Sequence, residues 1–389
     1  MDFIPSHHPL TPPHVAEDKA VLLRLLRSRR VGPTTFHKLI AEHGTAAAAL
    51  DALPHVARNA GVSNYQICPE GVVAAELAAG RACGATLVAQ SDAAYPALLS
   101  ALADAPPLIW MKGDLSLVER PMLSIVGARN ASSLGVRFAR TLAADLGREG
   151  FGIVSGLARG IDAAAHEGAL ESGTIAILAG GLDTIYPKEN TAIYHRICET
   201  GIVMSEQPLG MKPFARHFPM RNRIVSGLSR ATIVVEAAAR SGSLLTAGNA
   251  LDQGRDVMAV PGHPFDARAS GCNILLRDGA ALIRSARDVL DALASAPPPK
   301  RVRPTSTASR HIASAPPVKI PPVRAQTRRL SEHSALHTEI LARLSTTALP
   351  EDALMRDLNA PKDLISAELL NLELSGRIAR KSGGLLSLI

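Results

Sequence analysis

The chain has 389 residues, of which 47% are apolar and 20% charged, with a formal net charge of +7. These values exclude a fibrous or wholly disordered chain, and the length suits two to three domains of about 150 residues each. Aromatic residues are only 3%, so the cores must be built mainly from Ala, Leu, Val and Ile, and stacked rings are expected to contribute little to any binding surface.

No apolar run reaches the ~18 residues needed to cross a bilayer. The segment Met1 to Lys19 carries Asp2, three His and four Pro, and lacks the basic start and apolar core of a signal peptide. Cys68, Cys83, Cys198 and Cys272 show no metal-like or disulfide-framework spacing. A soluble cytoplasmic protein without membrane contact, bound metal or cofactor is expected.

Residues 1–83 read as a small helical domain. Val21, Leu22, Leu25 and Leu26 form an apolar stripe, Val31-Gly32-Pro33 breaks the chain, and Thr34 can cap a second helix through Ile40. Two helices around such a turn resemble a helix-hairpin-helix (SAM-like) unit, although an ordinary helical turn fits as well.

From residue 84 to 295 short β-branched runs alternate with helical segments. Predicted strands are Ala85–Ala89, Leu108–Met111, Met122–Val126, Gly152–Ser155, Ile175–Ala179, Ile202–Ser205, Thr232–Val235 and Val257–Val260. Predicted helices are Leu134–Arg148, Ile161–Glu171, Thr191–Glu199 and Ser243–Gln253. This alternation implies βαβ units in a doubly wound, mostly parallel α/β sheet of Rossmann-like type.

Residues 296–330 hold eight basic residues, no acidic ones and eight prolines. The composition marks an extended basic linker, suited either to holding a polyanion or to plain tethering. Residues 331–389 carry three apolar helical stripes and then a Gly383-Gly384 turn between two short strands, the pattern of a winged helix. Its third helix sets Lys362 against Asp363, Glu368 and Glu373, so a protein-contact module is expected rather than a reader of duplex DNA.

In an open α/β sheet, ligands bind beyond the carboxyl ends of the strands. Five such ends carry anion-suited chemistry here. They hold Arg129; Ser155, Gly156 and Gly160 before a helix with Asp162 in its first turn; Lys188 and Asn190; Arg221, Asn222 and Arg223; and Ser241, Gly242 and Ser243 with Thr246 one turn on. Each alone also fits a capped turn or a solvated cation. Their recurrence along one edge suits the successive phosphates of a nucleic-acid strand. The turn after Met122–Val126 has one glycine where a dinucleotide fingerprint needs three, so a hydride-transferring domain is disfavoured. No Ser-His-Asp or Cys-His set can be placed.

The stretches Ser124-Ile-Val-Gly-Ala-Arg129, Val154-Ser-Gly-Leu-Ala-Arg-Gly-Ile-Asp162, Ile185-Tyr-Pro-Lys-Glu-Asn190, Phe218-Pro-Met-Arg-Asn-Arg-Ile-Val225 and Arg240-Ser-Gly-Ser-Leu-Leu-Thr-Ala247 together resemble the DprA/Smf family of DNA-processing proteins. The resemblance covers about residues 85–290 and extends to the three-part layout. It implies a homodimeric, non-enzymatic binder of single-stranded DNA that protects incoming strands and helps to load the RecA recombinase in natural transformation. Arg129, Lys188, Arg221 and Arg223 would be the cationic contacts. Ser155, Gly156, Gly160, Ser241, Gly242, Ser243 and Thr246 would supply donors, and Asn190 and Asn222 would reach phosphates or bases. The first stretch has Ala128 where a hydroxyl residue often precedes the arginine. The alternative is an enzyme resembling the related phosphoribohydrolases of nucleoside monophosphates, but the catalytic glutamate expected after their glycines is absent from Glu236-Ala-Ala-Ala-Arg-Ser-Gly-Ser.

Overall fold

The computed structural model describes residues 18–59 and 61–295, together with 349–350, 354, 357, 358, 369, 378–381 and 385–388 near the C-terminus. The chain divides into two units, 1–300 and 301–389.

The first unit opens with four helices: α1 (Lys19–Arg27), α2 (Pro33–His43), α3 (Ala46–Asn59) and α4 (Glu70–Ala82). Gly32, not Thr34, is the N-cap of α2, with Pro33 at the first helical position, where its missing N–H costs nothing. Leu23, Leu25, Phe36, Leu39, Leu50 and Val73 close the helices on one another and on Leu87, Leu108 and Trp110 of the sheet. A buried ion pair pins this junction. The Arg27 guanidinium meets both oxygens of Glu76 at 2.8 and 2.9 Å, and Glu76 also accepts from the indole N–H of Trp110 at 2.9 Å.

The remaining elements are β1 (Thr86–Ala89), α5 (Ala97–Ser100), β2 (Leu108–Gly113), β3 (Met122–Gly127), α6 (Ser133–Arg148), β4 (Gly152–Ser155), α7 (Ile161–Ala169), β5 (Thr174–Ile177), α8 (Thr191–Thr200), β6 (Ile202–Ser205), α9 (His217–Gly227), β7 (Ala231–Val235), α10 (Gly242–Asp252), β8 (Asp256–Ala259), α11 (Ser270–Arg277), β9 (Ala281–Leu282) and α12 (Ala286–Ser295). The strands form one nine-stranded sheet in the order β1-β2-β6-β5-β4-β3-β7-β8-β9. From β6 to β9 all neighbours are parallel, while β1 and β2 add an antiparallel edge.

Helices cover both faces, so the central strands are apolar throughout. Along β3, Leu123 and Ile125 face Leu142 and Leu146 of α6. Met122 and Val126 face the opposite core, with Ile224, Val225 and Ala247 of α9 and α10. All eight expected strands are present. The short β9 and the helices α5, α9, α11 and α12 lie outside the expected elements.

In the second unit, β10 (Leu349–Pro350), β11 (Ile378–Lys381) and β12 (Leu385–Leu388) form a three-stranded antiparallel sheet in the order β10-β12-β11. The hairpin expected around Gly383-Gly384 is thus present as β11 and β12. Lys362, Asp363 and the basic linker lie outside the described residues.

Candidate nucleic-acid interface

The chain order reverses across the sheet at β3. Strands β4, β5 and β6 run out on one side and β7, β8 and β9 on the other. The crevice beyond the carboxyl ends of β3 and β7 is the place where this architecture binds ligands, and it holds a cleft of about 620 Å³. Eight of the thirteen expected site residues line it: Arg129, Gly156, Arg221, Asn222, Ser241, Gly242, Ser243 and Thr246.

Arg129 stands exposed after β3, with its guanidinium 5.1 Å above the centre of the Phe218 ring. Ser241 caps α10 by accepting from the Ser243 N–H at 3.3 Å, and the two hydroxyls are 2.7 Å apart. Among the described residues, neither Arg129 nor Arg240 forms an ion pair, and α10 carries no acidic residue in its first turn. The cleft mouth is therefore positive, and a helix dipole adds to it.

The glycine turn after β4 overturns the sequence expectation. Ser155 is buried and donates to the Ile125 carbonyl at 2.6 Å. Asp162 accepts from the N–H groups of Gly156 and Ala158 at 3.1 and 3.3 Å. His166 accepts from the Leu157 N–H at 3.3 Å. Asn190 donates to the carbonyls of Leu157 and Ala158 at 2.9 and 3.1 Å. Arg221 donates to the carbonyls of Gly156 and Ile177. Every main-chain polar group from 156 to 158 is thereby engaged from inside. The turn is a rigid strut, not a phosphate cradle, and Ser155, Gly156 and Asn190 act as its parts. Gly160 has φ +75°, and its lack of a Cβ lets this turn rest on the carbonyl of Ala128, just before Arg129.

The charges beneath the cleft are strongly perturbed. Burial pushes the Asp162 carboxyl above its ordinary value, opposed by Arg221 and by the two N–H groups it accepts from. Burial lowers Arg221 to about 10, with Asp162 opposing and Arg129 reinforcing. Burial lowers His166 to about 3, so it is neutral; its second ring nitrogen lies 2.7 Å from the Thr174 hydroxyl. His166 is a packed residue.

Arg223 corrects a second expectation. The segment 218–224 belongs to α9, with Pro219 in the first turn where its missing N–H is harmless. Residues two apart on a helix point to opposite sides. Arg221 therefore enters the cleft floor while Arg223 turns away, bonding Glu206 at 2.6 Å and the Asp104 carbonyl at 2.7 Å. Its charge is neutralised and it does not line the cleft. Lys188 is exposed on the turn after β5, also outside the cleft. Asn222 does line it, with its amide 3.4 Å from the Gly242 carbonyl at the start of α10.

The sequence reading missed Phe218, Arg240 and Arg268, all of which line the cleft. It also undervalued the aromatic residues. Tyr186 is 50% exposed with its ring centre 5.9 Å from that of Phe218, so scarce rings gather where Arg129 stands. Their signal was adjacency to the basic motifs, not abundance.

Comparison with known proteins identifies the family. Residues 86–294 match the family described as DNA recombination-mediator protein A. The chain belongs to the DprA/Smf family. Residues 16–79 match the DprA-like N-terminal HHH domain and 324–384 the DprA winged helix domain. The DNA processing protein DprA of Streptococcus pneumoniae is 45% identical over 201 residues, which are 51% of this chain and 71% of that protein. Protein Smf of Escherichia coli is 36% identical over 293 residues, 75% of this chain and 74% of that protein. A solved DprA structure from Helicobacter pylori, whose subject is the single-stranded DNA binding mode of that protein, aligns at a TM-score of 0.50 and 30% identity, covering 54% of this chain and 95% of its own. The DprA family is one of DNA-processing recombination mediators. Among the described residues no helix is long and apolar enough to cross a membrane.

Proposed function

We propose that this chain binds single-stranded DNA in the cleft between β3 and β7. The observation that carries the reading is the grouping of unpaired Arg129 and Arg240, the start of α10 and the Phe218 ring around one crevice. The cations meet phosphates, the helix start adds donors, and the ring takes a base. Phosphate contacts carry no base information, so sequence preference is small.

Of the expected contacts, Arg129, Ser241, Gly242, Ser243, Thr246 and Asn222 face the strand in this reading. Arg221, Gly156, Ser155, Gly160 and Asn190 hold the floor, and Lys188 takes flanking phosphate. Family membership supports the following reading of the biological role. A homodimer in the cytoplasm protects incoming strands and loads the RecA recombinase during DNA uptake, with residues 1–83, 84–295, 296–330 and 331–389 as helical domain, binding core, linker and winged helix. No observation favours cleavage of nucleoside monophosphates, because the Asp162 carboxylate in the cleft is engaged by backbone N–H groups.

The test is fluorescence anisotropy of a labelled single-stranded oligonucleotide with the full chain, with Arg129→Ala and Arg240→Ala, and with a 1–295 fragment. Binding by 1–295 that falls in both variants supports the cleft. Binding only by the full chain, indifferent to either variant, transfers the activity to the basic linker and refutes the reading.

A further inference from the structure

Arg268 lines a second cleft as well as the first. This one, of about 600 Å³, lies between the start of α6, the end of β7 and the loop that follows β8. Its chemistry differs from that of its neighbour. Leu134, 67% exposed, and Phe138, Val260 and Pro261 give it apolar walls. Arg137 is exposed and forms no ion pair among the described residues. At the back, the Glu236 carboxylate holds Ser132, the N-cap of α6, by accepting from its N–H at 2.8 Å and from its hydroxyl.

The loop beside this cleft carries two rings. His263 lines the cleft, and the Phe265 ring centre is 5.5 Å from it at a 40° tilt. Phe265 is 94% exposed. A phenyl group so placed gives nothing to the core, and the surrounding apolar patch is broken by Arg137, by His263 and by Arg268, whose guanidinium is paired with the Asp266 carboxylate at 3.0 and 3.1 Å. A large uniform apolar surface marks a protein interface. Cations alternating with exposed rings mark a groove for single-stranded nucleic acid.

We propose that the second cleft takes the next nucleotides of the strand held in the first, with a base stacked on Phe265 and His263 and a phosphate at Arg137. The shared Arg268 gives the continuity, because it lines both clefts and so puts them side by side. This inference rests on the proposed single-stranded DNA binding by the first cleft.

The experiment measures affinities of the full chain for labelled oligothymidylates of about 4 and about 20 nucleotides, bracketing one site and several. Arg129→Ala weakens both. Phe265→Ala weakens the long oligonucleotide by about 10-fold, the scale of one stacked base, and leaves the short one unchanged. Arg137→Ala likewise affects only the long one. Melting temperature is unmoved by Phe265→Ala, because the ring is exposed. An abasic residue at the stacking position removes the difference between wild type and Phe265→Ala. Wild-type affinity of Phe265→Ala for both lengths overturns the inference and leaves the loop to a protein partner. Equal weakening at both lengths also overturns it. If Arg129→Ala binds normally while Phe265→Ala loses the long oligonucleotide, the reading of the first cleft fails instead.

Discussion

Arg221 reaches across from α9 to donate to the carbonyl of Gly156, and a Cβ at position 156 would occupy the space of its guanidinium. The two residues are 65 apart in sequence. Together with Asp162 they put a buried cation and anion beneath the floor of the candidate site. Gly156→Ala must therefore expel the guanidinium or distort the turn. The expected cost is about 3 kcal/mol of stability, the range for breaking a buried charged network. Urea unfolding checks it, and affinity for single-stranded DNA falls with it as the Arg129 platform loosens.

Arg129 and Arg223 should behave as opposites. Arg129→Ala leaves the melting temperature within a degree or so of wild type, since an exposed side chain with no ion pair is removed. It lowers the log–log salt slope of binding by about 0.7, one phosphate contact on a single strand. Arg223→Ala strands the buried Glu206 carboxylate, 8% exposed, and costs about 3–5 kcal/mol. Salt-dependent anisotropy beside thermal unfolding separates the two, and an unchanged slope in Arg129→Ala would remove it from the interface.

His166 gives a pH signature. Its folded pKa is about 3 against 6.5 for the free side chain. Between these values the unfolded chain binds a proton that the folded chain refuses. The stability it contributes is complete above pH 6.5 and is lost as pH falls toward 3, with a slope of up to about 1.4 kcal/mol per pH unit. Asp162, raised by burial, acts with the opposite sign near and above pH 4, where its ionisation in the fold is disfavoured. Urea midpoints at pH 7 and 5 should diverge in wild type and draw together in His166→Gln.

Trp110 is the chain's single tryptophan, and its indole donates to Glu76 at the junction of helical domain and sheet. Its emission thus reports on that docking directly. Glu76→Ala leaves Arg27 buried without its partner, destabilises by about 3–5 kcal/mol and shifts the emission as water reaches the ring. Unaltered emission would show that apolar packing alone holds the junction.

The pattern of strands and helices was legible because a sheet covered on both faces demands continuous apolar runs, such as Ile233-Val234-Val235. The edge that carries the candidate site was legible for the same reason, since βαβ units send every parallel strand to the same side. The helix α9 was not, because Pro219 and the preceding proline-rich segment read as loop. That one misreading paired Arg221 with Arg223, which the helix sends to opposite sides.

The sequence by itself determined the family, the parallel sheet and the residue types at its carboxyl edge, because those depend on local periodicity and motif order. Only the tertiary structure decided which of those residues are available. Hydrogen-bond satisfaction is a three-dimensional matter: the N–H groups of Gly156 and Ala158 look free in the sequence and are engaged by Asp162, while the carbonyls of the turn bind Asn190 and Arg221. Burial and partner choice, which turn an arginine into a brace or a contact, are set by chain segments that sequence distance keeps apart.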